Sequence, residues 1–187
     1  MKKFLSISLI ISLCIAFIFG FTSNVNAASS GWQSRPISVY ASTKLSSMEV
    51  SQLKEAINAW NSTKFGTFFE YKGQITESQI ATLPYIVAVS KGAFSTDGNS
   101  SDALARTTWN KNGPVTKATI LINTNYTFNN GSTSGGQYYL KSVLMHELFH
   151  ALGFEDHSVF SNSFFHDTYT GVTNFLQSDL EKLSRLY

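Results

Sequence analysis

The segment HELFHALGFEDHS, residues 146–158, carries three of the chain's four histidines, with a glutamate beside the first. On a helix, positions i and i+4 share one face, so His146 and His150 present two imidazoles to one ion without distorting the backbone. Two nitrogen donors suit zinc. Catalytic zinc sites take three protein ligands and leave the fourth position to water, whose pKa the ion lowers towards neutrality. Glu147 is adjacent to a ligand without being needed as one, and its carboxylate is the natural general base for that zinc-bound water. Asp156 and His157 both stand where a third ligand is needed. The competing reading is an ordinary helix with solvated histidines. Against it stand the helical context, the stop at Gly153 and the further metal-capable side chains that follow at once.

The elements around this segment read as α+β. A helix over about Gln137–Leu152 puts Leu144, Leu148 and Leu152 on its core face, and Gly153 ends it as the residue after the cap. Upstream, Pro36–Tyr40 reads as a short strand. Ser46 and Glu49 form a capping box that opens a helix whose Val50, Leu53, Ile57 and Trp60 recur at helical spacing. Gly66–Tyr71 is a further strand. Tyr85–Ser90 and Ala118–Asn123 are continuous apolar runs of the kind found in central strands. The polar stretch between them reads as a long loop with a short edge strand near Ala103–Thr108, and NTNYTFNNGSTSGG as a second loop. After an irregular stretch to Gln177, Ser178 and Glu181 make a second capping box for a closing helix that runs to Tyr187.

The chain opens MKKFLSISLIISLCIAFIFGFTSNVNA, two lysines before an apolar run and a Val-x-Ala ending, which reads as a signal peptide over residues 1–27. The alternative is an uncleaved anchor, since ~18 apolar residues span a bilayer. The Val-x-Ala ending favours cleavage, leaving residues 28–187 as one domain and an extracellular protein with no stable membrane association. Cys14 is the only cysteine and lies inside the apolar run, so the exported domain folds without disulfides. The signal holds two of the 14 basic residues and none of the 12 acidic ones, so the remaining domain is balanced in charge and no nucleic-acid partner is expected.

His146-Glu-Leu-Phe-His150-Ala-Leu-Gly153-Phe-Glu-Asp156 resembles the extended metzincin pattern HExxHxxGxxH/D. The wider chain, including Trp32, ATILIN, YYLKSVLMHELFHALGF and LQSDLEKLSRLY, is similar to the catalytic domain of a bacterial matrixin. The resemblance implies a metzincin fold: a twisted five-stranded mixed sheet, two long helices, and a small C-terminal subdomain ending in a helix, with zinc in the cleft between. It also implies polypeptide substrates lying antiparallel to the edge strand near Ala103–Thr108, and a side-chain pocket shaped by the segment around Phe164–Thr173. A monomer is expected. The chain departs from the family in three ways. No methionine follows Met145, so Phe165, within Ser163–Asp167, stands where the family has a turn methionine. All four histidines lie at or after His146, so a second, structural zinc is not expected. The thiol that keeps many family members latent is absent.

By the family spacing the third ligand is Asp156, and the snapalysin-type proteases resemble this chain in reading Asp-His there with the aspartate bound. His157-Ser158 is similar to the His-Ser pair of matrixins, and counting from His157 puts Phe165 at the usual distance. The short path from Gly153 tolerates an insertion less well than the loop behind it, which favours Asp156 with His157 as the alternative. His166 reads as a turn residue or as an aid to the oxyanion. Asp97 and Asp102 make calcium possible, but two carboxylates among serines do not support it. The expectation is a secreted endopeptidase with one catalytic zinc, held by His146, His150 and Asp156, with Glu147 as base. The alternative is a metzincin-fold protein that binds a peptide or partner without hydrolysis. Phe165 motivates that alternative and the intact Glu147 opposes it.

Overall fold

The computed structural model describes residues 31–94, 102–131, 138–185 and 187. The signal peptide read over residues 1–27, Asp97 and Gln137 lie outside the described residues. No helix among the described residues is long and apolar enough to cross a membrane.

Five strands form the main sheet: β1 (Ile37–Ser42), β2 (Phe69–Ile75), β3 (Ile86–Gly92), β4 (Ala105–Trp109) and β5 (Lys117–Asn123), in the order β2-β1-β3-β5-β4. All neighbours are parallel except β4, which runs antiparallel to β5 at the edge. The continuous apolar run of β3 is explained by burial on both faces. Val87 and Val89 enter the main core, while Ile86 and Ala88 enter a smaller one on the reverse side.

Helix α1 (Ser47–Asn61) begins at the expected capping box. The Ser46 N–H donates to Glu49 Oε2 at 2.6 Å, and the Glu49 N–H donates to Ser46 Oγ at 3.3 Å. Its Val50, Leu53, Ile57 and Trp60 are buried, and it packs on α3 (Leu140–Ala151), which also lies against β4 and β5. The reverse face is covered in part by α2 (Glu77–Thr82), a six-residue helix not expected from the sequence. Its signal was present, because Thr76 and Gln79 form a capping box. Two-residue strands β6 (Phe128–Asn129) and β7 (Tyr138–Tyr139) pair just before α3.

Most boundaries shift from expectation by one to three residues, and two of the shifts have a visible cause. The strand expected from Gly66 starts only at Phe69, because Asn61 holds the approach: its Oδ1 accepts from the N–H groups of Phe68 and Phe69. The closing helix α4 (Gln177–Leu183) is not opened by Ser178 and Glu181 and ends before Tyr187. Its first turn is held by Asp179, whose carboxylate accepts from the Leu176 N–H at 2.8 Å.

The C-terminal end of α3 is fixed by residues distant in sequence. Trp32 Nε1 donates to the Ala151 carbonyl at 2.7 Å and the Tyr187 hydroxyl to the Leu152 carbonyl at 3.0 Å, satisfying carbonyls that a helix end leaves without internal partners. Gly153 then takes φ 102°, a left-handed conformation suited to glycine, and its N–H returns to the His150 carbonyl at 2.8 Å. Residues 154–176 form no helix and no strand beyond one bridge between Ser158 and His166. Aromatic packing joins this segment to the helices. Trp60 from α1 is ringed by Phe149 of α3 and by Phe164, Phe165 and Phe175 of the lower segment.

Candidate metal centre and active site

Helix α3 places His146 and His150 one turn apart, and their Nε2 atoms lie 3.0 Å from each other. His157 brings a third Nε2 to 3.2 Å from that of His150. A tetrahedral ion with zinc–nitrogen bonds of ~2.0–2.1 Å sets its ligand nitrogens roughly 3.3–3.4 Å apart, so the three histidines fit zinc with small adjustment. Each helical imidazole is oriented by its other nitrogen. His146 Nδ1 donates to the Phe164 carbonyl at 2.9 Å and His150 Nδ1 to the Phe154 carbonyl at 2.7 Å. A carbonyl only accepts, so the proton sits on Nδ1 and the Nε2 lone pair faces the common centre.

Electrostatics favour the same state. Burial, followed by the neighbouring His150, pushes the His146 imidazole down to about 3, and burial pushes His150 down to about 4. Burial also lowers His157. Neutral imidazoles are the form that binds a metal.

At the third position the structure brings the alternative candidate, His157, beside the helical imidazoles. The group of ligand atoms that converge within 4.8 Å consists of His146, His150 and His157, and Asp156 is exposed outside it. The physical reason lies downstream. The Ser158 N–H donates to the Phe165 carbonyl at 3.0 Å, Ser158 bridges to His166, and Lys182 Nζ donates to the His157 carbonyl at 3.1 Å. These bonds fix the register at His157-Ser158, so the extra residue is absorbed between Gly153 and His157.

Glu147 is buried on the adjacent turn, at 7% exposure, and lines the same cleft. Thr107 of β4 donates its hydroxyl to Glu147 Oε2 at 2.5 Å. Burial pushes the Glu147 carboxyl up to about 7, against the opposing pull of Thr107. From the same strand, Trp109 stacks on the His150 ring at 6.4 Å between centroids and 10° between planes. The cleft is about 920 Å³ and runs between β4 and the lower segment.

The family model described as Matrixin matches residues 34–187. The chain belongs to the matrixin family. No curated protein matches it. As a matrixin it is a zinc metalloendopeptidase acting on polypeptides, and its three converging histidines suit the catalytic zinc of the family.

Phe165, which the resemblance sets where the family has its turn methionine, is fully buried and stacks on Phe149 at 3.5 Å between centroids. It forms an apolar floor packed against α3. The floor is tied to α4 through a polar link: the buried Asp179 accepts from Ser163 Oγ at 2.8 Å, and Ser163 Oγ accepts from the Phe165 N–H at 3.0 Å. His166 lines the cleft, with its Nδ1 accepting from the Thr168 N–H at 3.1 Å. Asp102 lines the far end of the cleft and belongs to no metal-type cluster among the described residues. Thr107 and Trp109 were not singled out from the sequence. Their contacts to Glu147 and His150 join residues about forty positions apart, and no local pattern announces them.

Proposed function

We propose that this matrixin is an exported, monomeric endopeptidase in which His146, His150 and His157 hold the zinc and Glu147 is the general base. The observation that carries the reading is the convergence of three Nε2 atoms beside a buried carboxylate, in an open cleft bordered by an edge strand. Zinc bound there supplies a Lewis acid for the scissile carbonyl and acidifies water in the site. Glu147 takes the proton of the attacking water and hands it to the leaving amine. In the metal-free protein burial raises the Glu147 carboxyl to about 7, which makes it a stronger base than a solvated carboxylate.

Among the described residues β4 pairs only with β5, so its outer edge offers main-chain groups to an extended peptide. Added there, a substrate strand runs past Glu147 and the histidines. The wall formed by Tyr138, Val143, Phe164 and Tyr169 then meets one of its side chains. Export is read from residues 1–27.

The test is casein or peptide-library cleavage by the purified domain, its loss on zinc chelation, and its behaviour in Glu147→Ala. That variant should keep zinc and lose roughly 10²–10⁴-fold in rate. Proteolysis by Glu147→Ala at the parental rate would remove Glu147 from its role. Mass spectrometry of culture supernatant should find a chain beginning near Ala28, and sedimentation should give one chain per particle.

A further inference from the structure

Resting on the role of Glu147 as base, we infer that Thr107 is a positioning residue that holds one Glu147 oxygen so that the other meets the reacting water. Glu147 has two chemically equivalent oxygens, and rotation about its terminal torsion exchanges them over a broad, two-fold profile. Thr107 removes this freedom. Its hydroxyl lies 2.5 Å from Glu147 Oε2 and 3.1 Å from the Glu147 main-chain carbonyl. The hydroxyl carries one proton, and of the two acceptors the charged carboxylate takes it more strongly. Oε2 is thereby committed, which leaves Oε1 to meet the reacting water in the cleft that Glu147 lines.

The donor is itself fixed. Thr107 pairs across the sheet with Ile120, which is fully buried, and Thr119 and Leu121 pair with its neighbours Thr108 and Arg106. A β-branched side chain has few rotamers to choose from in that setting. The period of two along β4 then places Thr107 and Trp109 on the face turned to α3, one on Glu147 and the other on the His150 ring. The edge strand that receives the substrate therefore also orients the base, so peptide backbone and base are aligned by one rigid element. Such alignment acts on the chemical step and not on ground-state binding.

The experiment compares Thr107→Val, which keeps the shape and removes the donor, with Thr107→Ser, which keeps the donor. Thr107→Val should lose roughly 10–100-fold in kcat with KM and zinc affinity at parental values, and Thr107→Ser should recover most of that loss. A readout independent of activity uses the metal-free domain. Thr107→Val should lower the thermal midpoint more in the parent than in the Glu147→Ala background, where only the main-chain carbonyl remains as acceptor. The inference is overturned if Thr107→Val turns over at the parental rate, if its loss lies in KM, if Thr107→Ser is as slow as Thr107→Val, or if the thermal shift is equal in both backgrounds. Failure here is distinct from failure of the underlying reading. A proteolytic Glu147→Ala removes the base assignment itself, whereas an inactive Glu147→Ala beside a fully active Thr107→Val removes only the role of Thr107.

Discussion

The two walls of the cleft are built by opposite means. The upper wall is α3 and β4, where His146, Glu147 and His150 follow from helical spacing and their surroundings are backbone-bonded secondary structure. The lower wall, residues 154–176, contains neither helix nor paired strand beyond one bridge. It is held by single bonds: Ser158 N–H to the Phe165 carbonyl, Ser163 to Asp179, Lys182 to the His157 carbonyl. The cluster thus combines two histidines placed by local geometry with a third placed by tertiary contacts. The third depends on every bond that sets the register of its loop.

The largest effect should appear in zinc binding. His146→Ala should abolish it. His157→Ala should weaken it by more than the roughly 10–100-fold typical of a merely supporting partner, while Asp156→Ala should match the parent. The measurement is the zinc dissociation constant of each variant at fixed pH by chelator competition. Parental affinity in His157→Ala together with loss in Asp156→Ala would return the third position to the aspartate.

Core truncation comes next. Phe165→Ala in the lower wall and Leu148→Ala in α3 should each cost several kcal/mol, about 3–5 and about 2–5 respectively, since both side chains are fully buried. Only Phe165→Ala should also weaken zinc binding, because the adjacent Phe164 carbonyl orients His146. Phe165→Met fills the same floor with an adaptable side chain and should cost less than about 1.5 kcal/mol. Urea unfolding with parallel zinc titration separates the two walls, and equal zinc losses in Phe165→Ala and Leu148→Ala would erase the distinction.

A smaller loss is expected from Ser163→Ala, which strips the Asp179 carboxylate and the Phe165 N–H of a partner each. The cost should be about 1–3 kcal/mol in chemical denaturation. A change within error would show that water replaces the hydroxyl and that this link does not hold the wall.

The smallest effect concerns pH and again divides the regions. At Glu49, burial alone would raise the carboxyl, but the bonds from Lys91, at 2.8 and 3.0 Å, and from Ser46 prevail and hold it below its ordinary value. Its contribution is therefore complete above the unfolded carboxylate value of about 4.3 and is lost as pH falls through the lowered folded value. At Asp179, burial prevails over the bonds from Leu176 and Ser163 and raises the carboxyl. The folded state there binds the proton more tightly than the unfolded state, so Asp179 costs stability above its raised value, and acid relieves that cost. Glu49→Gln should cost about 1 kcal/mol at neutral pH and flatten the acid limb of the stability curve. Asp179→Asn should steepen the loss on acidification, because the parent gains from protonating its raised carboxyl. Unfolding free energies between pH 7 and pH 4 decide it, and identical acid limbs for parent and Glu49→Gln would count against the Lys91 pair.

Legibility from sequence follows the range of the interactions involved. The capping box of α1, the apolar face of α1, the central strands and the helix ended by Gly153 are signals within a few residues, and each is present where expected. Helix α2 carries its own capping box, but six residues show too little periodicity to mark a helix. At the opening of α4, Ser178-x-x-Glu181 is a valid pattern on its own, whereas Asp179 is drawn inward by Ser163, sixteen positions away.

The amino-acid sequence by itself determined that His146 and His150 share a face with Glu147 beside them. Helical geometry depends only on local spacing, and here the spacing allows one arrangement. Only the tertiary structure brings His157, and not Asp156, beside those two histidines. Counting forward from Gly153 selects Asp156 and counting back from Phe165 selects His157, and the conflict is one residue long. The bonds that hold His157 in place run from Ser158 to Phe165 and from Lys182 to His157, between segments that meet only once the chain has folded.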